Sequence, residues 1–412
     1  MADQSRRPWA WDRLPDDVLY EIVRRIPCEV DRLHTGRVCH SWRVGLVKLK
    51  PPAPPPPLPW LVLPRAHGSP TFSCVLSGCC THPLFVPHGV RSARYFGSYD
   101  GVWLFLAVDG QRNQAQDHVL VNLSNFQFID LPNLAHVDMM FPVVVNRDCE
   151  MAIVAATLSC KPTEQGCIVA GFIEYSPFPG LVTRHAAFWR MGDQVVLPPI
   201  WVRVAATSWM EEPQEDLIYH KGAFHFLTRT EHILACEEPP VFHEDVVELI
   251  PANMYFQPRG GSDDDDETVL ARYLVESRTR LLMVVRLTSR RQHLPTSAFR
   301  VFQKKEFNKG EEDEPLNNGA FQFQYYWSEL PALEGRMLFV GRGCSRSYET
   351  ANGYPGMEGV YFLDDRTFYE PSMPYRCSDN GKWSEAPTGP QVDRCFPARG
   401  PSKYSPPVWI LP

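Results

Sequence analysis

The sequence predicts an α+β multidomain chain: a small three-helix N-terminal module, a proline spacer, and an all-β body arranged as a β-propeller of six to eight blades. Three observations carry that reading. Helical periodicity is confined to residues 14–49, a proline run occupies 51–57, and from residue 70 short apolar runs alternate with glycine, proline and aspartate. The expected limits are 10–50 for the helical module, 51–69 for the linker and 70–412 for the β-rich body.

Pro15 suits the first turn of a helix, and Asp16, Asp17 and Glu21 follow near the positive end of its dipole. Val18, Leu19, Ile22, Val23 and Ile26 recur at helical spacing, Arg24 and Arg25 fall in the last turn, and Pro27 ends it. A second helix is expected from about Glu29 to His34, presenting Val30 and Leu33. A third carries Val38, Trp42, Leu46 and Leu49 on one face until Pro51 stops it. So short a bundle buries little surface by itself. The sequence PPAPPPP cannot be helical and offers few donors to a sheet, so an extended, semi-rigid spacer is expected.

In the body the apolar runs are four to eight residues long and rich in β-branched and aromatic types, which is the strand signature. They include GVWLFLAV at 101–108, HVLVNL at 118–123, MAIVAAT at 151–157, IVAGFIEY at 168–175 and LLMVVRL at 281–287, with later runs at 299–302, 337–340 and 359–363. Tight turns such as Tyr99-Asp100-Gly101 and His220-Lys221-Gly222 lead into strands, in a loose repeat. About 340 residues of short antiparallel strands have many edges to protect, and a propeller protects them by radial repetition. At about 40–50 residues per blade the length gives six to eight blades. A β-sandwich is the alternative all-β arrangement. Acidic and mixed-charge inserts at 262–267 and 304–318 read as solvated loops.

Composition narrows the function. The 39 prolines are close to twice the usual share, which favours turns and strand edges over helices. Net charge is −7 and no basic run is longer than a pair such as Arg290-Arg291, so no nucleic-acid partner is expected. No stretch approaches a membrane span and MADQSRRPWAWD lacks a secretory core, so the expectation is an intracellular protein, in nucleus or cytoplasm. The twelve cysteines are scattered and no C-x-x-C occurs, so buried free thiols are expected, with no metal and no cofactor. No G-x-S-x-G elbow, H-E-x-x-H or phosphate loop is present, and no catalytic residues are assigned. Gly341-Arg342-Gly343 lacks the third glycine of a dinucleotide fingerprint, and Asp364-Asp365 reads as a turn or cap.

Leu14-Pro15-Asp16-Asp17-Val18-Leu19-Tyr20-Glu21-Ile22, then Ile26-Pro27 and Arg37-Val38-Cys39-His40-Ser41-Trp42-Arg43, resembles the F-box. That resemblance implies docking onto a Skp-type adaptor and, through it, onto cullin and RING subunits. It implies adaptor-facing roles for Leu14, Pro15, Leu19, Ile22, Val38 and Trp42; Leu19, Ile22 and Trp42 are equally placed to fill the bundle's own core. Gly36 departs from the aliphatic residue expected there. The body, through Tyr273-Leu274-Val275-Glu276-Ser277, Phe339-Val340-Gly341-Arg342-Gly343-Cys344-Ser345 and Gly359-Val360-Tyr361-Phe362-Leu363-Asp364-Asp365, is similar to the plant domain of unknown function 295. Together these imply a substrate-recognition subunit of an SCF-type cullin-RING ubiquitin ligase with an unidentified protein target. The alternatives are an F-box scaffold or degenerate copy acting outside ubiquitination, and a propeller enzyme with a helical extension.

Overall fold

The computed structural model describes residues 11–65, 68–109, 116–139, 145–197, 199–201, 213–236, 240–259, 267–289, 295–307, 323–365, 374–386, 389–403 and 405–410. Three helices come first: α1 (Asp16–Arg24), α2 (Glu29–Thr35) and α3 (His40–Leu49). Leu19, Val23 and Trp42 form their core, with Leu14, Cys39, Leu46 and Leu49 packed against it. Gly45 permits the contact between α1 and α3, since a Cβ there would lie 2.9 Å from Leu19 Cδ2. The Trp42 indole donates to the carbonyl of Trp11 at 2.7 Å.

Two expectations for the bundle are corrected. Val38 is not on the Trp42–Leu46–Leu49 face: it lies in the turn before α3 and is 57% exposed. Cys39 takes the cap position, its Sγ accepting from Trp42 N, so the helix starts at His40, two residues past Val38. Leu33 of α2 likewise faces outward.

The body is a six-bladed β-propeller. Blade 1 holds Arg94–Tyr99, Trp103–Asp109, Gln116–Asn122 and Phe128–Leu131; blade 2 is built on Val145–Leu158, Ile168–Phe178 and Leu181–Arg190. Blade 3 holds Gln214–His220, Ala223–Thr228, Ile233–Cys236 and Pro251–Met254. Blade 4 holds Glu267–Ser277, Arg280–Ser289, Ala298–Glu306 and Tyr325–Glu329. Blade 5 has Arg336–Val340 and Gly359–Phe362 at its centre. Mid-blade strands read as continuous apolar runs because neighbouring blades cover both faces. In Arg280–Ser289 all eight interior residues are buried, Arg286 among them. Turn chemistry matches: His220 pairs with Ala223 across Lys221 (φ 50) and Gly222 (φ 84), the left-handed pair of a two-residue hairpin. The insert at 262–267 lies outside the described residues apart from Glu267, as does 308–318 of the second insert.

Blade 6 closes the ring. Its strand order is Cys80–Pro83, Thr71–Cys74, Trp60–Leu63, Val408–Ile410, so the last strand of the chain completes a sheet begun by the first three of the body. Trp60–Leu63 was expected inside the spacer; instead it pairs with both Thr71–Cys74 and Val408–Ile410. Strand pairing therefore begins at Trp60, ten residues before the limit expected at 70. Pro59 and Pro64 disguise this strand, yet both fall just outside it, where no ladder bond is needed. The spacer is also held at its end: Leu58 is fully buried and the Tyr354 hydroxyl donates to the Pro56 carbonyl at 2.6 Å.

Candidate functional site

Two regions carry groups that could act, the outer surface of the helical bundle and the polar hub of the propeller. On the bundle the six residues singled out by sequence separate into two sets. Leu19 and Trp42 are buried in the bundle core rather than presented at its surface, because α1 and α3 need them to close on each other. Leu14 and Ile22 are half-buried, and Pro15 and Val38 are exposed. Sequence reasoning missed the surface around them. Of thirteen large exposed apolar residues among those described, six lie between residues 11 and 47: Trp11, Val18, Leu33, Val38, Val44 and Val47. Val44 and Val47 are one turn apart on α3, so they share a face. Scattered exposed apolar residues are ordinary, and here nearly half of those described fall on the small N-terminal module.

The hub joins blades 3, 4 and 5. Asp216, fully buried, accepts from Leu274 N and from Gly343 N, each at 2.7 Å. Gly343 has φ +67, and a Cβ there would meet the Ala156 carbonyl at 2.8 Å, so the Gly341-Arg342-Gly343 segment is a close-approach corner. Arg342 reaches the Glu215 carbonyl at 2.9 Å and the Asp365 carbonyl at 3.1 Å. Asp364 caps the backbone of Ser378 and Asp379, at 3.1 and 2.9 Å, whereas Asp365 accepts the Tyr273 hydroxyl at 2.6 Å. Each of these carboxylates is thus engaged by protein donors. The partly open cavity beside them, lined by Arg94, Tyr95, Arg342, Asp365 and Tyr375, is about 50 Å³. That volume holds a few waters, against about 300–1,000 Å³ for a small-molecule site. The hub is built to join blades rather than to receive a substrate.

Buried histidines elsewhere in the propeller set an acid limit. His118 shares its Nδ1 with Asn133 Oδ1 at 3.0 Å, and its Nε2 accepts from Ile153 N at 3.2 Å. Protonation would turn that nitrogen's lone pair into an N–H aimed at another N–H. Burial holds His118 down to about 3, and His225 and His232 down to about 4. Their native pKa lies below the unfolded value near 6.5, so unfolding takes up protons and stability is lost as pH falls below about 6.5. Burial pushes Asp216 the other way, up to about 7, so that group gains stability over part of the same window. Three protons against one leave a net loss of about 3 kcal/mol between pH 7 and 5. Thermal melts across that range should show the melting temperature falling; a flat profile would contradict the neutral-histidine assignment.

No helix among the described residues is long and apolar enough to cross a membrane. A family model described as the KIB1-4 β-propeller matches residues 72–384, from the second strand of the closing blade through most of blade 5. The two strands that complete the ring, Trp60–Leu63 and Val408–Ile410, lie outside those limits. No curated protein matches the chain.

Proposed function

The chain belongs to the KIB1-4 β-propeller family, and from that premise we propose that it is the substrate-recognition subunit of an SCF-type cullin-RING ubiquitin ligase. The family is a plant group of F-box-associated propellers. The N-terminal bundle is the F-box, docking on a Skp-type adaptor that leads to cullin and RING subunits; the propeller holds a protein target. The observation that carries this reading is the concentration of exposed apolar side chains on the bundle, next to the Leu14-Pro15 helix start.

The mechanism is positional. One end is fixed to the ligase and the other to the target, which raises the effective concentration of target lysines near a charged conjugating enzyme. The chain itself performs no chemistry in this reading, because the thioester is carried by other subunits. The spacer suits the role: its prolines stiffen it, and its anchoring at Pro56 and Leu58 shortens the free span.

The test separates surface from core. Leu14→Ala with Pro15→Ala, and separately Val38→Ala with Val47→Ala, should weaken co-purification with a Skp-type adaptor by about tenfold or more, as expected for central apolar contacts. The Val38/Val47 variant, altered only at exposed positions, should keep the wild-type melting temperature, the Leu14/Pro15 variant should melt lower because Leu14 also packs on the bundle core, and Val241→Ala on the propeller should leave adaptor binding unchanged. Undiminished adaptor binding by both double variants would remove the basis for the assignment.

A further inference from the structure

The bundle and the closing blade meet at a set of donors that come from three separate segments. Cys28 precedes α2, and Asp31 lies one turn along the same helix. Cys74 and His82 come from the two outer strands of blade 6, where His82 pairs with Phe72. Cys74 is two residues from Phe72, so its side chain and that of His82 share a face of the sheet. One ligating atom each from Cys28, Asp31 and His82 lies within 4.8 Å of the other two. The Cys74 thiol neighbours that of Cys28, outside this mutually close trio, and is the fourth donor within reach on the same face of the sheet. Cys28, Cys74 and His82 are 1%, 1% and 5% exposed, and Asp31 closes the solvent side.

We propose that Cys28, Cys74, His82 and Asp31 form a zinc site that fastens the N-terminal bundle to the closing blade of the propeller. The donor set selects the metal. Two thiolates and an imidazole suit a borderline-soft divalent ion and not calcium or magnesium, which take oxygen ligands. Four protein donors with no open position make a structural site rather than a catalytic one. Zinc–ligand bonds of about 2.0–2.3 Å place ligating atoms about 3.3–3.8 Å apart in a tetrahedron, so the trio of Cys28, Asp31 and His82 contracts from within 4.8 Å and Cys74 turns in to join it. His82 Nε2 now lies 3.0 Å from Ser77 Oγ and 4.0 Å from Asp31 Oδ1. On metal binding it exchanges the serine contact for the metal, and Ser77 keeps its bond to the Cys74 carbonyl at 3.2 Å. Both thiol protons leave to solvent as the two zinc–sulfur bonds form.

The site has a mechanical consequence that does not depend on what the propeller binds. Beside these residues, Val30 packs against the core cluster of the closing blade, the His34 ring lies 6.0 Å from that of His82, and Arg32 donates to the Pro52 carbonyl of the spacer. A metal bridging α2 to two strands of blade 6 would fix the angle between the two parts.

The experiment uses the full-length chain purified without chelators. About one zinc per chain is expected by elemental analysis, and cobalt substituted for it should give tetrahedral ligand-field bands with thiolate-to-cobalt charge transfer. Cys28→Ser and His82→Gln should each lower metal occupancy at least tenfold, while Cys80→Ser, on the same strand as His82 but exposed, should leave it unchanged. Because either ligand variant could fail to fold, the wild-type chain is also treated with a chelator: its melting temperature should drop and be restored by zinc but not by magnesium. Three results would overturn the proposal. These are failure to retain zinc after stoichiometric addition, a cobalt spectrum without thiolate bands, or an unchanged melting temperature once zinc has been stripped.

Discussion

Deletion of residues 406–412 should open the ring and leave a body that is insoluble or melts about 10–20 °C lower. Val408–Ile410 is the inner strand of the closing blade, paired with Trp60, Leu61 and Val62. Trp409 is 1% exposed, donates its indole N–H to the Val340 carbonyl at 2.8 Å, and meets Phe339 and Phe396 edge-on with centroids 5.3 and 5.6 Å away. It therefore joins blade 6 to blade 5. On the other side Ser405 Oγ accepts from Tyr95 N at 2.8 Å, joining the same segment to blade 1. Val408, Trp409 and Ile410 are all buried, and at about 1.5–3 kcal/mol each they stabilise the ring by about 5–9 kcal/mol. A typical domain has about 5–15 kcal/mol in total, so the loss approaches the whole margin. Trp409→Ala alone should cost about 3–5 kcal/mol in urea unfolding. A truncated chain that melts like the intact one would show that the ring closes without this strand.

That closure was half legible in the sequence. Read from the sequence alone, the apolar end Val408-Trp409-Ile410-Leu411 suits a blade shared by both ends of the body, with the early run at 72–76 as its partner. Thr71–Cys74 is indeed in that blade, but the strand bonded to the C-terminus is Trp60–Leu63. It was hidden because four apolar residues between two prolines look like linker, and periodicity cannot distinguish a strand that short. The mid-blade strands were legible for the opposite reason. Burial on both faces writes an unbroken apolar run, and the runs at 168–175 and 281–287 fall inside Ile168–Phe178 and Arg280–Ser289. In the bundle the Leu-Pro start and the α2 limits were readable, yet the surface was not. Helical spacing identifies a stripe without saying which of its members face inward, so Leu19 and Trp42 went to the core while Val44 and Val47 passed unnoticed. The Cys28, Asp31, Cys74 and His82 cluster left no trace in spacing, since its members span more than fifty residues and meet only when the bundle docks on blade 6.

Arg286 is where a local rule was broken inside a strand, and its removal should be among the costliest single changes in the molecule. The residue interrupts LLMVVRL and is fully buried. Its Nε donates to Thr296 Oγ1 at 2.6 Å, one terminal nitrogen to the Leu363 carbonyl at 2.7 Å and the Tyr273 hydroxyl at 3.2 Å, and the other to the Asp379 carbonyl and Oδ2, both at 3.0 Å. The guanidinium also lies over the Phe362 ring, 4.8 Å from its centroid. Blade 4 thereby reaches two separate segments associated with blade 5. Substituting methionine would retain the volume of the stem and remove the guanidinium that pairs with both Asp365 and Asp379. Arg394 would still reach Asp379 and Arg342 would still bind Asp365 through its backbone, so neither carboxylate is stranded completely. Breaking one partner of a buried pair costs about 3–5 kcal/mol, and Arg286→Met should fall in that range. Arg286→Lys keeps the charge but loses the planar fork, since one ammonium nitrogen cannot occupy the three separate positions of Nε and the two terminal nitrogens, and should lose about half as much. The double variant Arg286→Met with Asp379→Asn should recover part of the loss, because the unpaired charge is removed along with its partner. Urea unfolding of the four proteins measures this directly. If Arg286→Met unfolds within about 1 kcal/mol of the wild type, the guanidinium is not what couples blades 4 and 5.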